Sequence, residues 1–252
     1  AATESVQNSV VKTINTAART ETGRKRACIC TGNLSAHVMA VPQGASLMAI
    51  SLRVVVPPHP LIGHWLTMLR HRETPPALYA TAMQELGRWL TYESLRDWLP
   101  HRREPIPTAH GETEGLVVES RAPLLALPVM PGGLELWHGG RQVLPEASLC
   151  LNGVPDGIET NAGLVVFIDQ ITDGNKTLQM LRELQQQGVS GNRIRLITAL
   201  CTSPGLKTLG EAIADLTIYT TCIDEDLDAS GQAVPGIGDP LQRLNLRLKG
   251  RV

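Results

Sequence analysis

The chain has 252 residues, of which 42% are apolar, and its 23 Lys and Arg nearly balance its 24 Asp and Glu to give a formal net charge of -1. A chain of this length can bury a core as one large domain or two small ones. So small a charge gives no overall field to attract nucleic acid or an anionic membrane, and no stretch reaches the roughly 18 to 20 apolar residues of a membrane span. Nucleic-acid coating and membrane insertion are therefore poor hypotheses.

The cysteines are odd in number and scattered, which is not the pattern of a disulfide framework. A zinc-type site would need a second close pair besides Cys28 and Cys30. The sequence therefore predicts incidental thiols, a reducing compartment and no metal site. The five are Cys28, Cys30, Cys150, Cys201 and Cys222.

Residues 1–52 form an N-terminal tail without a sustained apolar period. The segment is rich in Ser and Thr, carries the basic run Arg24-Lys25-Arg26 and has only the acids Glu4 and Glu21. This composition is typical of an organelle transit peptide, and a disordered tail is the alternative. Because the tail lacks an apolar face of its own, we expect it to lie along another subunit.

Residues 53–252 are predicted to form the folded domain, which opens with two helices. Apolar residues recur at helical spacing after Pro60, and again from Ala77 to Trp98, with Pro75-Pro76 between the two runs. The polar stretch 101–115 has closely spaced turn-forming residues and predicts a loop. The apolar runs LVVE and PLLALPVM that follow predict strands.

From residue 163 the pattern becomes regular. The runs GLVVFID, RIRLITALC and LTIYTTCID predict strands, and TLQMLRELQQQG and LKTLGEAIA predict the helices between them. Strands that alternate with helices imply an α/β fold with a parallel sheet flanked by helices. Ligands bind such sheets outside the carboxyl ends of the strands, here at 169–177, 201–205 and 224–239.

At this point the sequence resembles the uracil phosphoribosyltransferases from about His59 to Arg243. The start of the domain is similar to the family's opening helices. The end is similar to the family's closing block, which normally carries V-P-G-L-G-D-A-G-D where this chain has VPGIGDPLQ. The resemblance implies a phosphoribosyltransferase-type fold with a reduced hood and an extended N-terminal tail. It also implies a nominal reaction of uracil with phosphoribosyl pyrophosphate to give UMP and pyrophosphate.

The resemblance implies that the closing loop binds the base through its main chain. The uracil contacts carried over are Ala233, Gly238, Asp239 and Pro240, with Asp239 also touching the ribosyl donor. Gly238 would let the backbone approach a planar ligand closely. Pro240 stands where alanine is usual, and it has no N–H to donate.

The family's phosphate loop, D-P-M-L-A-T-G-G-S, is degenerate in this chain. Its Thr-Gly-Gly core is lost, and Asp173 adds a carboxylate beside the expected phosphate, which Lys176 offsets in part. The family arginine that grips pyrophosphate falls on Pro131, and the loop that closes over substrate is shortened to 149–163. The nine positions are Asp169, Gln170, Ile171, Thr172, Asp173, Gly174, Asn175, Lys176 and Thr177.

Two hypotheses follow from these residues. The first is a divergent phosphoribosyltransferase of weak or lost activity that would use Mg²⁺ if active, with no catalytic residue assigned. The second is a non-catalytic structural or regulatory subunit of a larger assembly of plastid or cyanobacterial type. Either would act in the plastid stroma or cytoplasm, with a small base as ligand and a protein partner or a second copy bound. The acids at 224–228 are interpreted as a polar loop, with Mg²⁺ binding as the alternative.

Overall fold

The structure is a computed structural model that describes residues 10–14, 52–119, 123–144 and 146–246. A sheet lies at the centre of the domain and helices cover both of its faces. In chain order the strands are β1 (Val10–Ile14), β2 (Leu52–Val56), β3 (His101–Thr108), β4 (Gly111–Val118), β5 (Leu124–Pro128), β6 (Ser148–Leu149), β7 (Gly163–Ile171), β8 (Ile194–Thr202), β9 (Thr217–Thr220), β10 (Ile223–Asp224), β11 (Asp226–Leu227) and β12 (Ala233–Val234). The α-helices are α1 (Pro60–Arg70), α2 (Pro76–Leu95), α3 (Gly132–Gly140), α4 (Asn175–Gln186), α5 (Ser203–Ala212) and α6 (Pro240–Arg243).

The central sheet has the strand order β1-β2-β9-β8-β7-β5-β6, and β10 pairs with β8. Each neighbouring pair is parallel except β1 and β2. Strands β11 and β12 form a separate antiparallel pair beside the carboxyl end of the sheet. The predicted α/β fold with a parallel sheet is confirmed.

The core lies in two layers, one on each face of the sheet. Along β7, Val165 and Phe167 pack with α2 and α3, whereas Leu164 and Val166 pack with α4 and α5. This alternation follows from the two-residue period of a strand, and burial on both faces explains the continuous apolar run. The predicted core positions are all buried: Val165, Val166, Ile168, Leu178, Leu181, Leu184, Leu196 and Ile218.

The two opening helices form as predicted, but in the first turn of each the buried residue is not the one that the spacing indicated. Leu61 and Leu78 are exposed, and their neighbours Ile62 and Tyr79 are buried instead. Later in α2, Leu86 is fully buried as the spacing predicts. The helical period therefore located the apolar stripe to within one residue at each helix start.

The segment 101–115 is not a loop. It forms most of a β-hairpin in which β3 and β4 pair from His101 with Val118 to Thr108 with Gly111. Its strands are mostly exposed and carry polar residues on both faces along most of their length, so the alternation that marks a half-buried strand is missing. Pairing between the strands stabilises them where burial does not.

The tail contributes one described element to the sheet. Strand β1 pairs antiparallel with β2, from Val10 with Val56 to Ile14 with Leu52. These five residues therefore lie on their own domain, and the expectation that the tail runs along another subunit is wrong for them. The basic run Arg24-Lys25-Arg26 and the pair Cys28 and Cys30 lie outside the described residues.

Candidate functional site

A cavity of about 690 Å³ opens at the carboxyl ends of β5 and β7. Its walls come from the segment after β5, the loop that joins β7 to α4, and the start of α6. This is the edge of a parallel sheet where ligands bind. The predicted phosphate loop, residues 169–177, and part of the predicted base-binding loop, residues 233–240 and called the base loop below, therefore face one cavity, as the sequence indicated.

The loop between β7 and α4 is closed by its own side chain. Asp173 Oδ1 accepts a hydrogen bond of 3.0 Å from the Asn175 backbone N–H, and Asp173 Oδ2 accepts one of 2.7 Å from Asn175 Nδ2. Gly174 has a φ of 79°, and a methyl group there would overlap the Gly205 carbonyl. A carboxylate of the protein thus lies at the positive N-terminus of α4, where a phosphate would bind.

Asp169 lies at the floor of the cavity, near the end of β7. Its Oδ1 accepts a hydrogen bond of 2.7 Å from the Gln170 backbone N–H. The pKa of Asp169 is raised to about 6, mainly by burial and in smaller part by the Asp239 carboxylate. The backbone N–H groups of Gln170 and Gly132 and the charge of Lys176 oppose this rise. The group therefore titrates between its ordinary range and neutrality.

The wall opposite α4 is apolar at the position where the resemblance implies an arginine. Pro131 precedes the first turn of α3, and Met130 beside it is half exposed to the cavity. Among the described residues that line the cavity, Lys176 is the one cation. The carboxylates on the same lining are Asp169, Asp173, Glu183 and Asp239.

The loop that follows β12 is held from outside by a partly buried ion pair. Arg70, at the end of α1, contacts both carboxylate oxygens of Asp224 at 2.5 and 3.2 Å and donates to the Gly236 carbonyl at 3.2 Å. Asp224 also accepts a hydrogen bond of 2.9 Å from the Gly236 N–H. The interpretation of 224–228 as a polar loop is wrong for Asp224, which is 5% exposed. We did not single out Arg70 from the sequence, because an arginine at a helix end is ordinarily solvated.

A smaller cavity of about 300 Å³ lies beside this loop. Three of the four predicted uracil contacts, Ala233, Gly238 and Asp239, line it. Pro240 is buried at the first position of α6 and lines the larger cavity instead. Side-chain amides of Gln170, Gln232 and Gln242 complete the smaller lining.

Asp239 lies between the two cavities and lines both. Its Oδ1 accepts a hydrogen bond of 3.0 Å from the Leu241 N–H and thereby caps α6. The missing N–H of Pro240 costs nothing at the first position of a helix. The departure from alanine at this position is therefore accommodated by the helix start.

The described part of the chain has no group of three or more His, Cys, Asp or Glu arranged to hold a metal ion. The exposed Asp228 accepts hydrogen bonds from Ser230 and Gln232, and these bonds lower its pKa. Cys150, Cys201 and Cys222 are free thiols. None of the helices among these residues has the length and hydropathy to cross a membrane.

Comparison with known proteins gives a consistent result. The family model for uracil phosphoribosyltransferase matches residues 56–244. A uracil phosphoribosyltransferase of Synechococcus elongatus is 39% identical over 213 residues, which cover 78% of this chain and 98% of the relative. A chloroplastic uracil phosphoribosyltransferase of Arabidopsis thaliana is 31% identical over 202 residues, covering 74% of this chain and 68% of the relative. A solved structure from Aquifex aeolicus superposes with a TM-score of 0.65 at 24% identity, covers 76% of this chain and 97% of its own, and supports the fold.

Proposed function

The chain belongs to the uracil phosphoribosyltransferase family, and from this premise we propose that it keeps the base-binding end of the family's site but has lost its hold on phosphoribosyl pyrophosphate. Its transferase activity is then weak or absent. The observation that carries this proposal is the Asp173 carboxylate, which takes the Asn175 N–H at the start of α4. A phosphate would have to displace that carboxylate and then lie beside it.

The charges of the larger cavity support the same proposal. Two like charges about 4 Å apart repel by about 1 kcal/mol in bulk water and by about 4 kcal/mol at an effective dielectric constant of 20. Lys176 stands against four carboxylates on the described lining. A ligand that carries a phosphate and a pyrophosphate is therefore disfavoured electrostatically as well as sterically.

Pro131 supports the loss of pyrophosphate binding independently. A guanidinium group binds phosphate through two parallel hydrogen bonds, and a proline side chain has no polar atom. Each charged hydrogen bond contributes about 1.5–3 kcal/mol. Losing one or two of them lowers affinity or rate by orders of magnitude.

The base-binding end of the site is proposed to remain able to bind a small base. Ala233, Gly238 and Asp239 face the smaller cavity, and the Arg70–Asp224 pair holds the loop that carries them. The substrate class proposed for this end is uracil or another small base. Pro240 is proposed to act through the start of α6 and not by donating to the base.

Magnesium enters this proposal only with the ribosyl donor. Mg²⁺ is held in such sites by one or two carboxylates together with substrate phosphates. Asp169 and Asp239 present carboxylates to the cavity and fit that role, whereas Asp173 is engaged with Asn175. If transfer persists, these two residues would hold the ion, which would supply charge neutralisation for the departing pyrophosphate.

A second candidate function is that of a structural or regulatory subunit. The β3–β4 hairpin favours it, because Leu116 and Val118 on β4 are 64% and 50% exposed. The two side chains are two residues apart and therefore lie on one face of the strand, where a contact with another chain would bury both. Light scattering of the purified full chain, compared with a Leu116→Ser, Val118→Ser double variant, tests whether this hairpin joins two copies.

The compartment is proposed to be the plastid stroma or the cytoplasm. The chloroplastic name of the Arabidopsis thaliana relative and the acid-poor N-terminal segment favour the plastid. Three described thiols that remain free are consistent with a reducing environment. Import of the full chain into isolated chloroplasts is the direct test.

The proposed loss of donor binding is tested by calorimetric titration of phosphoribosyl pyrophosphate with Mg²⁺. We expect a Kd weaker than about 1 mM, which corresponds to a binding free energy of about -4 kcal/mol. A parallel assay follows conversion of labelled uracil to UMP, with the Synechococcus elongatus relative as a positive control. Micromolar affinity, or UMP formation at the rate of that control, would contradict the proposal.

A further inference from the structure

The larger and the smaller cavity meet at a shared border. Three side chains line both of them: Gln170, Gln232 and Asp239. A ligand confined to the smaller cavity touches the base loop and its immediate neighbours, among them Gln170 of β7. A ligand made of a base and an attached sugar is longer and has to cross this border.

Gln170 spans the border from the sheet to the base loop. It lies one residue before the end of β7, and its Nε2 donates a hydrogen bond of 3.2 Å to the Gly238 carbonyl. Gly238 is one of the groups proposed to face the base. The glutamine side chain therefore crosses the path between the two cavities and uses an acceptor of the base loop.

The other two border residues are held differently. The Asp239 side chain is fixed at the start of α6 by its bond from Leu241 N–H. Gln232 is fixed through its backbone N–H, which donates to Asp228 at 2.9 Å. Within the described chain, Gln170 is the border residue whose side chain bonds the sheet to this loop.

We propose that Gln170 is a specificity-determining residue that separates the two cavities and restricts the smaller one to a free nucleobase. A nucleoside binds less tightly than a free base because its ribose has to displace the Gln170 side chain from the space between the cavities. The inference rests on the proposed function, since a larger cavity that holds no phosphate leaves an uncharged nucleoside as the ligand to be discriminated. Gln170 is a selectivity element in this proposal and takes no part in bond making.

The base loop does not depend on this bond for its position. Arg70 and Asp224 hold Gly236, and the Tyr79 hydroxyl donates to the Ile237 carbonyl at 3.4 Å. Removing the Gln170 amide should therefore open the border and leave the loop in place. One neutral hydrogen bond is a small barrier, so its loss should be visible as a modest but measurable change in affinity.

The experiment measures the Kd of uracil and of uridine by calorimetry for the full-length protein and for Gln170→Ala. We expect the affinity for uridine, relative to that for uracil, to rise about fivefold or more in the variant. Gln179→Ala is the matched control, because Gln179 also lines the larger cavity but its amide bonds to Glu183 on the same helix. The control should leave the ratio unchanged, and Gln170→Ser should repeat the result of Gln170→Ala.

Three outcomes would overturn the proposal. An unchanged ratio would mean that Gln170 is no barrier, and a parallel loss of both affinities would mean that it only positions the loop. If neither uracil nor uridine bound to the unchanged protein or to Gln170→Ala, the smaller cavity would not be a base-binding site. Failure of the proposed function would show separately, as binding of phosphoribosyl pyrophosphate by the unchanged protein.

Discussion

The loop before α4 and the loop before α6 line the same cavity, but different parts of the chain hold them. The base loop is held by Arg70 and Asp224, which lie outside it. The phosphate loop is held by its own Asp173, bonded to Asn175. The phosphate loop therefore uses one of its own main-chain N–H groups internally, whereas the base loop is held by side chains from outside the loop.

This difference indicates which kind of change a site tolerates. A helix N-terminus needs an acceptor, and a nearby carboxylate stabilises it as well as a bound phosphate does. Replacing a bound phosphate by a carboxylate of the protein at this position therefore costs the fold little stability. The base loop has no such substitute, because removal of the buried Asp224 carboxylate would leave the Gly236 N–H without its acceptor.

The largest effect is expected below the phosphate loop, in its scaffold. Leu181 on α4 is fully buried, and Leu181→Ala should lower the free energy of unfolding by about 2–5 kcal/mol through lost burial and a residual cavity. Urea unfolding measures this, with Leu151→Ala as the control because Leu151 is 49% exposed. Equal effects of the two changes would show that α4 does not pack on the sheet as described.

The next effect concerns the support of the base loop. Asp224→Ala leaves the Arg70 guanidinium without its carboxylate and the Gly236 N–H without its acceptor. A fully buried pair loses about 3–5 kcal/mol when one partner is removed, and we expect about 2–3 kcal/mol here because Arg70 can reach solvent.

The exposed Asp226 provides the control for that measurement. Asp226→Ala in the same segment should change urea stability by less than about 0.5 kcal/mol. Uracil affinity should fall with Asp224→Ala and persist with Asp226→Ala. A stable Asp224→Ala protein with unchanged uracil affinity would remove the contrast between the two loops.

A smaller effect is expected from Asp169, the carboxylate between the loops. Its folded pKa, raised by burial from 3.8 to about 6, lies above that of the unfolded chain. The folded protein therefore keeps a proton that the unfolded chain releases, and stability falls as pH rises from about 4 to about 6 and is flat above. We expect a loss of about 1–2 kcal/mol across that window, less than the full shift implies because the group is partly exposed.

Asp169→Asn isolates this contribution, since the amide does not titrate. The difference in unfolding free energy between the unchanged protein and the variant should follow the stated window. A difference that is constant from pH 4 to pH 7 would mean that the pKa of Asp169 is the same in the folded and the unfolded protein.

The parallel sheet and its core were predictable because their signal is local. The apolar runs around Val166 and Leu196 and the helical period of Leu181 and Leu184 each follow from a single element. The β3–β4 hairpin was not predictable from period, because neither of its faces is buried and its stability comes from pairing across the turn.

The site was predictable where residues are consecutive and unpredictable where they meet across the fold. The positions of Asp169 and Asp173 at one edge follow from the strand, loop and helix order. The contacts of Arg70 with Asp224 and of Gln170 with Gly238 join residues far apart in sequence. Nothing in the local sequence around Arg70 or around Gln170 distinguishes these residues from solvated side chains.

The smallest expected effect on stability tests the central claim of the comparison, that Asp173 takes the place of a phosphate. Asp173→Ala removes the acceptor from the Asn175 N–H and should cost about 0.5–1 kcal/mol of stability, as the loss of a helix cap does. In return the freed N–H and the positive end of α4 should bind inorganic phosphate about fivefold to tenfold more tightly, as one regained hydrogen bond predicts.

Asp173→Asn is the matched control, because its amide oxygen can still accept from Asn175 while the charge is gone. If occupancy of the N–H excludes phosphate, the asparagine variant stays close to the unchanged protein in a phosphate titration, and if charge alone excludes it, the asparagine and alanine variants gain equally. Failure of both variants to gain would show that Asp173 does not stand in for a ligand, and the two loops would then differ only in sequence.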